Sequence, residues 1–267
     1  MPRGSMERFS RSDTVEWAAH TGYAARGVIY VLLGILALRL SNGPGGSEAP
    51  NQQGAIHELL RHTFGGVLVL ALAVGLAGYA VWRLTQALVG HTPEHGPYSA
   101  MDRVAAAASG LTYAAFCAIA VGAFLGRDRK TPPRRLTADV LSWPGGRVVV
   151  VAAGLVFIAI GAYQAKMAVT DDFEEYSKTH EMPEGVMHAF HWFGRVGHLA
   201  RTVVFGLVGL FLVVAGFTHS AGQAVGVDGA LMRLLHHAYG GSMVAVVGAG
   251  LLVFGAYSLL DARYRRL

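Results

Sequence analysis

Apolar residues gather into six long runs, at residues 23–40, 64–88, 104–125, 148–169, 199–218 and 240–260, while charged residues collect almost wholly between them. Each run is close to the ~20 residues that carry an α-helix across a hydrocarbon core. Backbone amides and carbonyls in lipid have to be satisfied within the chain, so the pattern predicts six transmembrane helices rather than open strands. Composition agrees with an all-α membrane protein: of 267 residues, 53% are hydrophobic, only 15% are charged and 35 are glycine. The mean hydropathy of +0.40 is modest because polar linkers dilute the runs. A soluble helical protein with six buried runs of this length is the poorer fit.

The N-terminal flank mixes Glu7, Asp13 and Glu16 with bases, and Arg39 follows the first run where a signal peptide would carry a small-residue cleavage site. The first run is therefore expected to stay as a span. Residues 2–6 read PRGSM, which resembles the remnant of a cleaved expression tag with Met6 as the natural start, so that 1–5 are read as tag rather than fold. Cys117 is the only cysteine, so no internal disulfide is expected, and its mid-helix position suits a small packing residue.

A repeat organises the runs. His20-x-Gly22-x3-Arg26-Gly27-x2-Tyr30-x3-Gly34, Arg103-x-Ala105-x3-Ser109-Gly110-x2-Tyr113-x3-Cys117 and Arg195-x-Gly197-x3-Arg201-Thr202-x2-Phe205-x3-Gly209 keep one spacing. The even-numbered runs echo one another too, each led in by LLRHTFGG, VLSWPGG or LLHHAYGG. The chain divides accordingly into a flank (1–16), hairpin repeats at 17–90 and 101–170, an acidic linker with the start of an interfacial helix (171–191), and a third hairpin repeat (192–262). Same-orientation repeats imply an axis along the membrane normal, hence three tandem helical hairpins in a pseudo-threefold arrangement.

This pattern resembles the bacterial, mainly actinobacterial, membrane proteins of domain-of-unknown-function family 1206, built from three two-helix units. The resemblance spans roughly 17–260 and is strongest in GYAARGVIY and GHLARTVVF; the middle unit departs from it, with Ser109 where the others carry arginine. It implies fold and membrane location, and no reaction, substrate or cofactor.

Arg26 and Arg201 each sit about one turn inside a span, where a long side chain can snorkel to headgroup phosphate or a loop carbonyl. The plain reading is that they anchor their helices; the functional one is that Arg26, Ser109 and Arg201 line an anion site between repeats, with Arg195 a further anion or headgroup contact. Counting Lys and Arg on either side gives thirteen against nine in favour of cytoplasmic termini, with the basic 127–135 stretch on the opposite side. Arg263, Arg265 and Arg266 then face anionic lipid headgroups, and the net charge of +5 fits a membrane surface better than nucleic acid.

The linker DDFEEYSKTHEMPE holds six acids against one lysine, and Pro183 is placed to start a helix whose Glu184, His188, His191, Arg195 and His198 share one arc. Glu184, His188 and His191 are weak candidate metal ligands, because Arg195 lies within the same face and repels a cation; an interfacial polar face is the alternative. The remaining histidines fall at span edges or in linkers, so haem is not expected and no cofactor is assigned. The chain has no phosphate loop, HExxH, GxSxG elbow or paired intramembrane carboxylates. The expectation is thus a non-enzymatic structural or accessory component of a bacterial cell membrane, whose partners are lipid and another membrane protein. By analogy with carriers made of three two-helix repeats, a small-molecule or ion transporter or channel is the alternative.

Overall fold

The computed structural model describes residues 13–43, 48–89, 91–92, 96–97, 100–127 and 133–265. The tag-like segment 1–5, positions 128–132 of the basic stretch and Arg266 lie outside them. Among the described residues, six helices are long and apolar enough to cross a membrane: α1 (Asp13–Ser41), α3 (Gly65–Val89), α4 (Ala100–Phe124), α6 (Gly146–Thr170), α7 (Glu184–Phe217) and α9 (Gly240–Tyr264). The chain is an all-α membrane protein. The sole pairing of strands among the described residues is the two-residue hairpin β1 (His91–Thr92) and β2 (Gly96–Pro97). At 34 residues α7 is roughly 51 Å long, well beyond a ~30 Å hydrocarbon core, so the arc from Glu184 to His198 is one uninterrupted helix with the fifth span.

The linkers ahead of the even spans contain three further helices of nine residues each: α2 (Gln52–Leu60), α5 (Pro133–Leu141) and α8 (Val227–Leu235). A shared turn joins each to its span. His62 N–H donates to Leu59 O and Gly65 N–H to His62 O; Trp143 to Val140 and Gly146 to Trp143 repeat this, as do His237 to Leu234 and Gly240 to His237. A Cβ on Gly65, Gly146 or Gly240 would collide with the closing carbonyls of the short helix, at Leu59, Val140 and Leu235 respectively, which is why glycine opens each even span.

Two compact units emerge: residues 1–28, 56–128 and 258–267, and residues 29–55 and 129–257. In the first, Tyr23, Tyr79, Trp82 and Tyr113 form an aromatic cluster with Ala262. In the second, Ala37, Leu40, Val204, Leu231, Leu234, Val244, Val247 and Leu251 form a buried apolar cluster.

Close helix approaches recur at equivalent repeat positions. A Cβ on Gly34 would lie 2.8 Å from Gly248 O, a Cβ on Gly209 2.7 Å from Gly154 O, and the Cys117 thiol donates to Ala73 O at 3.4 Å. These small residues hold the same register on their helices, so an odd span approaches an even one closely at each of them, backbone to backbone at the two glycines and through the thiol at Cys117. Gly22 against the Tyr79 side chain and Gly197 against Phe254 are likewise equivalent.

Candidate functional site

Within the first unit, α1 carries Arg26 into contact with α9. Its guanidinium donates to Asp261 Oδ2 at 3.2 Å, and Arg265, immediately after the last residue of α9, reaches the same carboxylate at 3.3 Å. Both cations also lie over the Tyr23 ring, at 4.5 and 4.9 Å from its centroid. Asp261 is fully buried. The apolar run ends at residue 260, yet the helix continues to Tyr264, so Asp261 belongs to the same helix as the span. Ser109, at the matching repeat position, is partly buried on α4 beside Gly110, whose missing side chain admits Leu84. Nearly two turns earlier, Arg103 donates to the Ala87 and Leu88 carbonyls that end α3, and at the matching position of α1 His20 Nδ1 contacts Ala262 O in α9, the equivalent of Ala87 O.

The second unit holds Arg201. Its guanidinium lies over three rings, Phe254 at 4.5 Å, Phe205 at 5.0 Å and Tyr30 at 5.3 Å. With the Gln164 amide oriented to satisfy both neighbours, its nitrogen donates to His198 Nδ1 at 2.7 Å and its oxygen accepts from both terminal nitrogens of Arg201 at 2.9 Å. His198 stacks on Phe173 at 5.5 Å and meets Phe254 and Tyr257 edge-on.

The acidic linker folds back on α7. Phe173, fully buried on a 3-10 turn (Asp172–Glu174), fills the slot left by Gly194. Arg195 grips Asp171 through two hydrogen bonds of 2.7 and 2.6 Å, and His191 Nδ1 lies 2.6 Å from Glu174 Oε1 and 3.9 Å from Asp171. Among the described residues, the set with metal-ligand geometry is therefore Asp171, Glu174 and His191. That replaces the expected grouping, since Glu184 and His188 are exposed on α7 while the linker brings its own acids to His191. The Arg195 fork already occupies both Asp171 oxygens, so the arrangement works as a clamp. It holds the Asp171 carboxyl below the usual carboxylate range, and Lys166, with help from Thr170, does the same for Asp172.

Of the arginine and serine positions read as anion contacts, the pairs Arg26–Ser109 and Arg195–Arg201 fall in separate units. Sequence reasoning missed Asp261 and Gln164. The Asp261–Arg265 spacing of one helical turn was the available signal for the first; the partners of Gln164 are too distant in sequence to announce it.

The sequence matches the family described as Domain of Unknown Function (DUF1206) in three segments, residues 21–90, 104–171 and 196–265. It is also 27% identical over 263 residues to uncharacterized protein YxxB of Bacillus subtilis (strain 168), an alignment covering 96% of this chain and 94% of that protein. No solved structure matches the chain. With three matched segments taking up most of its length, the chain belongs to the DUF1206 family.

Proposed function

We propose that this chain is a non-enzymatic component of a bacterial cell membrane, a self-braced set of helical hairpins that presents apolar helix faces to lipid and to another membrane protein. The observation that carries this is the Arg26–Asp261 pair: a charge sunk into a span is neutralised inside the protein instead of being left for a passing solute. The first two even spans meanwhile expose broad apolar faces, with Val67, Leu70, Val74 and Val81 on α3 and Val148, Val149, Leu155 and Val156 on α6. Such faces suit acyl chains or a partner helix. Both termini are taken as cytoplasmic, with Arg263 and Arg265 toward anionic headgroups.

Two measurements on the full chain test this reading. Gentle solubilisation from its own membrane, followed by native mass spectrometry, should retain a second polypeptide. Reconstitution into liposomes should leave permeability to small anions, cations and amino acids at the level of protein-free vesicles. Solute flux that depends on the protein would overturn the reading in favour of a transporter.

A further inference from the structure

We propose that the pocket around Arg201 is a binding site for one small monovalent anion, with chloride as its occupant. Tyr30, Arg201, Val204, Phe205, Val227 and Leu251 are among its lining residues, and its water-accessible volume is about 20 Å³. That is room for about one water-sized guest. A halide fits, whereas a sugar, an amino acid or a whole phosphate does not.

Charge selects the sign of the guest. Arg26 shares Asp261 with Arg265, but Arg201, its counterpart in the third repeat, has no carboxylate within ion-pair distance among the described residues. Counted from the glycine that opens each even span, the position of Asp261 in α9 is occupied in α6 by Met167, buried and uncharged. Gln164 supplies a neutral acceptor to two of the five guanidinium N–H groups. Ring faces ease the charge without cancelling it. The remaining donors have no protein acceptor among the described residues, and a cation held in a span without a counter-charge is costly.

The backbone adds to the same sign. The lining includes Gln52 and Val227, each the first residue of a nine-residue helix, α2 and α8 respectively. Helix N-termini favour negative charge through their aligned peptide dipoles and N–H groups. The α8 terminus has no side-chain cap, and its acid, Asp228, is not among the lining residues. The rest of the lining is apolar or aromatic, which suits a weakly hydrated monovalent ion.

The test is ³⁵Cl line broadening with the purified full chain in nanodiscs of phosphatidylcholine, titrating sodium chloride at constant ionic strength against sodium gluconate. Saturable broadening is expected with the natural sequence. Arg201→Gln should weaken the apparent affinity by about tenfold or more, as loss of a charged donor does. Val227→Phe, which keeps Arg201 and puts a larger side chain into the pocket lining, should do the same even if Arg201→Gln folds poorly. Arg26→Gln should leave the broadening intact. Absence of saturable broadening in the natural chain, or its persistence in both pocket variants, overturns the proposal. So does displacement of chloride by phosphatidylglycerol nanodiscs at low salt, which would assign the site to a lipid headgroup. Chloride flux in liposomes would overturn the non-transporter reading and leave this site standing.

Discussion

Arg26 and Asp261, 235 positions apart, meet as an ion pair at 3.2 Å inside the first unit, joining the middle of α1 to the closing turn of α9. The pair is asymmetric in its dependence. Asp261 serves two guanidiniums, those of Arg26 and Arg265, whereas Arg26 is one of two cations on Asp261.

Asp261→Asn should therefore destabilise more than Arg26→Gln. Removing the acid leaves two cations crowded over the Tyr23 ring, and breaking a buried pair from that side costs on the order of 3 kcal/mol. Removing Arg26 leaves the acid with Arg265. Thermal unfolding in detergent checks the order, and the double variant should recover part of the Asp261→Asn loss, a coupling that a double-mutant cycle measures directly. Equal losses from the two single changes would show that the pair is not the bracing element.

Glycines three residues apart on α7 should respond to alanine with opposite signs. A Cβ on Gly209 would lie 2.7 Å from Gly154 O and 2.9 Å from Ile158 N, both backbone atoms that cannot rotate away. A Cβ on Gly206 meets nothing within 4 Å. Gly209→Ala should part α6 from α7 and lower the unfolding midpoint by several degrees. Gly206→Ala should raise it slightly, by the ~1 kcal/mol or less of helix propensity that alanine adds. Two drops, or two gains, would contradict the contact.

The spans were legible in the sequence because hydropathy is local. What lay beyond reach was whatever depends on long-range return. The nine-residue helices α2, α5 and α8 pass as linkers, being too short and mixed in composition for a periodic signal to stand out. Asp261 stands one residue past the last apolar run, because such a run ends where hydrophobicity ends, while a helix ends where its hydrogen bonds do. The arc of Glu184, His188, His191 and Arg195 on one helix is correct, and yet its partners come from Asp171 and Glu174, which no helical spacing relates to it. Gln164 looks like an ordinary span-end polar residue until His198 and Arg201 arrive from another helix.

Acid should loosen the linker clamp. Asp171 and Asp172 are held below their ordinary pKa by Arg195 and Lys166, so they contribute stability above the unfolded value of ~3.9 and lose it as pH falls through their lower folded values. Amide exchange across residues 171–182, normalised for intrinsic rates, should be flat from pH 8 to 5 and rise below about pH 4. Arg195→Gln should raise exchange in that segment at neutral pH and flatten the acid limb. A segment equally protected at pH 3 and pH 7 would remove the clamp from the account.

Phe173 should matter more to that linker than any of its charges. Its ring is fully buried, 5.5 Å from both His198 and Tyr257 and 5.9 Å from Phe190, and it occupies the space that a side chain on Gly194 would take. The Arg195–Asp171 contact, by comparison, is open enough to water to be screened. Phe173→Ala forfeits the burial of a whole aromatic side chain, typically about 3 kcal/mol or more. Gly194→Ala attacks the same seat from the opposite side, because the new methyl and the Phe173 ring cannot both be accommodated. Lys178, the lysine of the acidic linker, reports the outcome through tryptic cleavage after it. Both variants should be cut much faster than the natural chain under native conditions, while Arg195→Gln should be cut only modestly faster. If Arg195→Gln proves the most sensitive, the linker is held by its ion pairs, and the aromatic seat is filler.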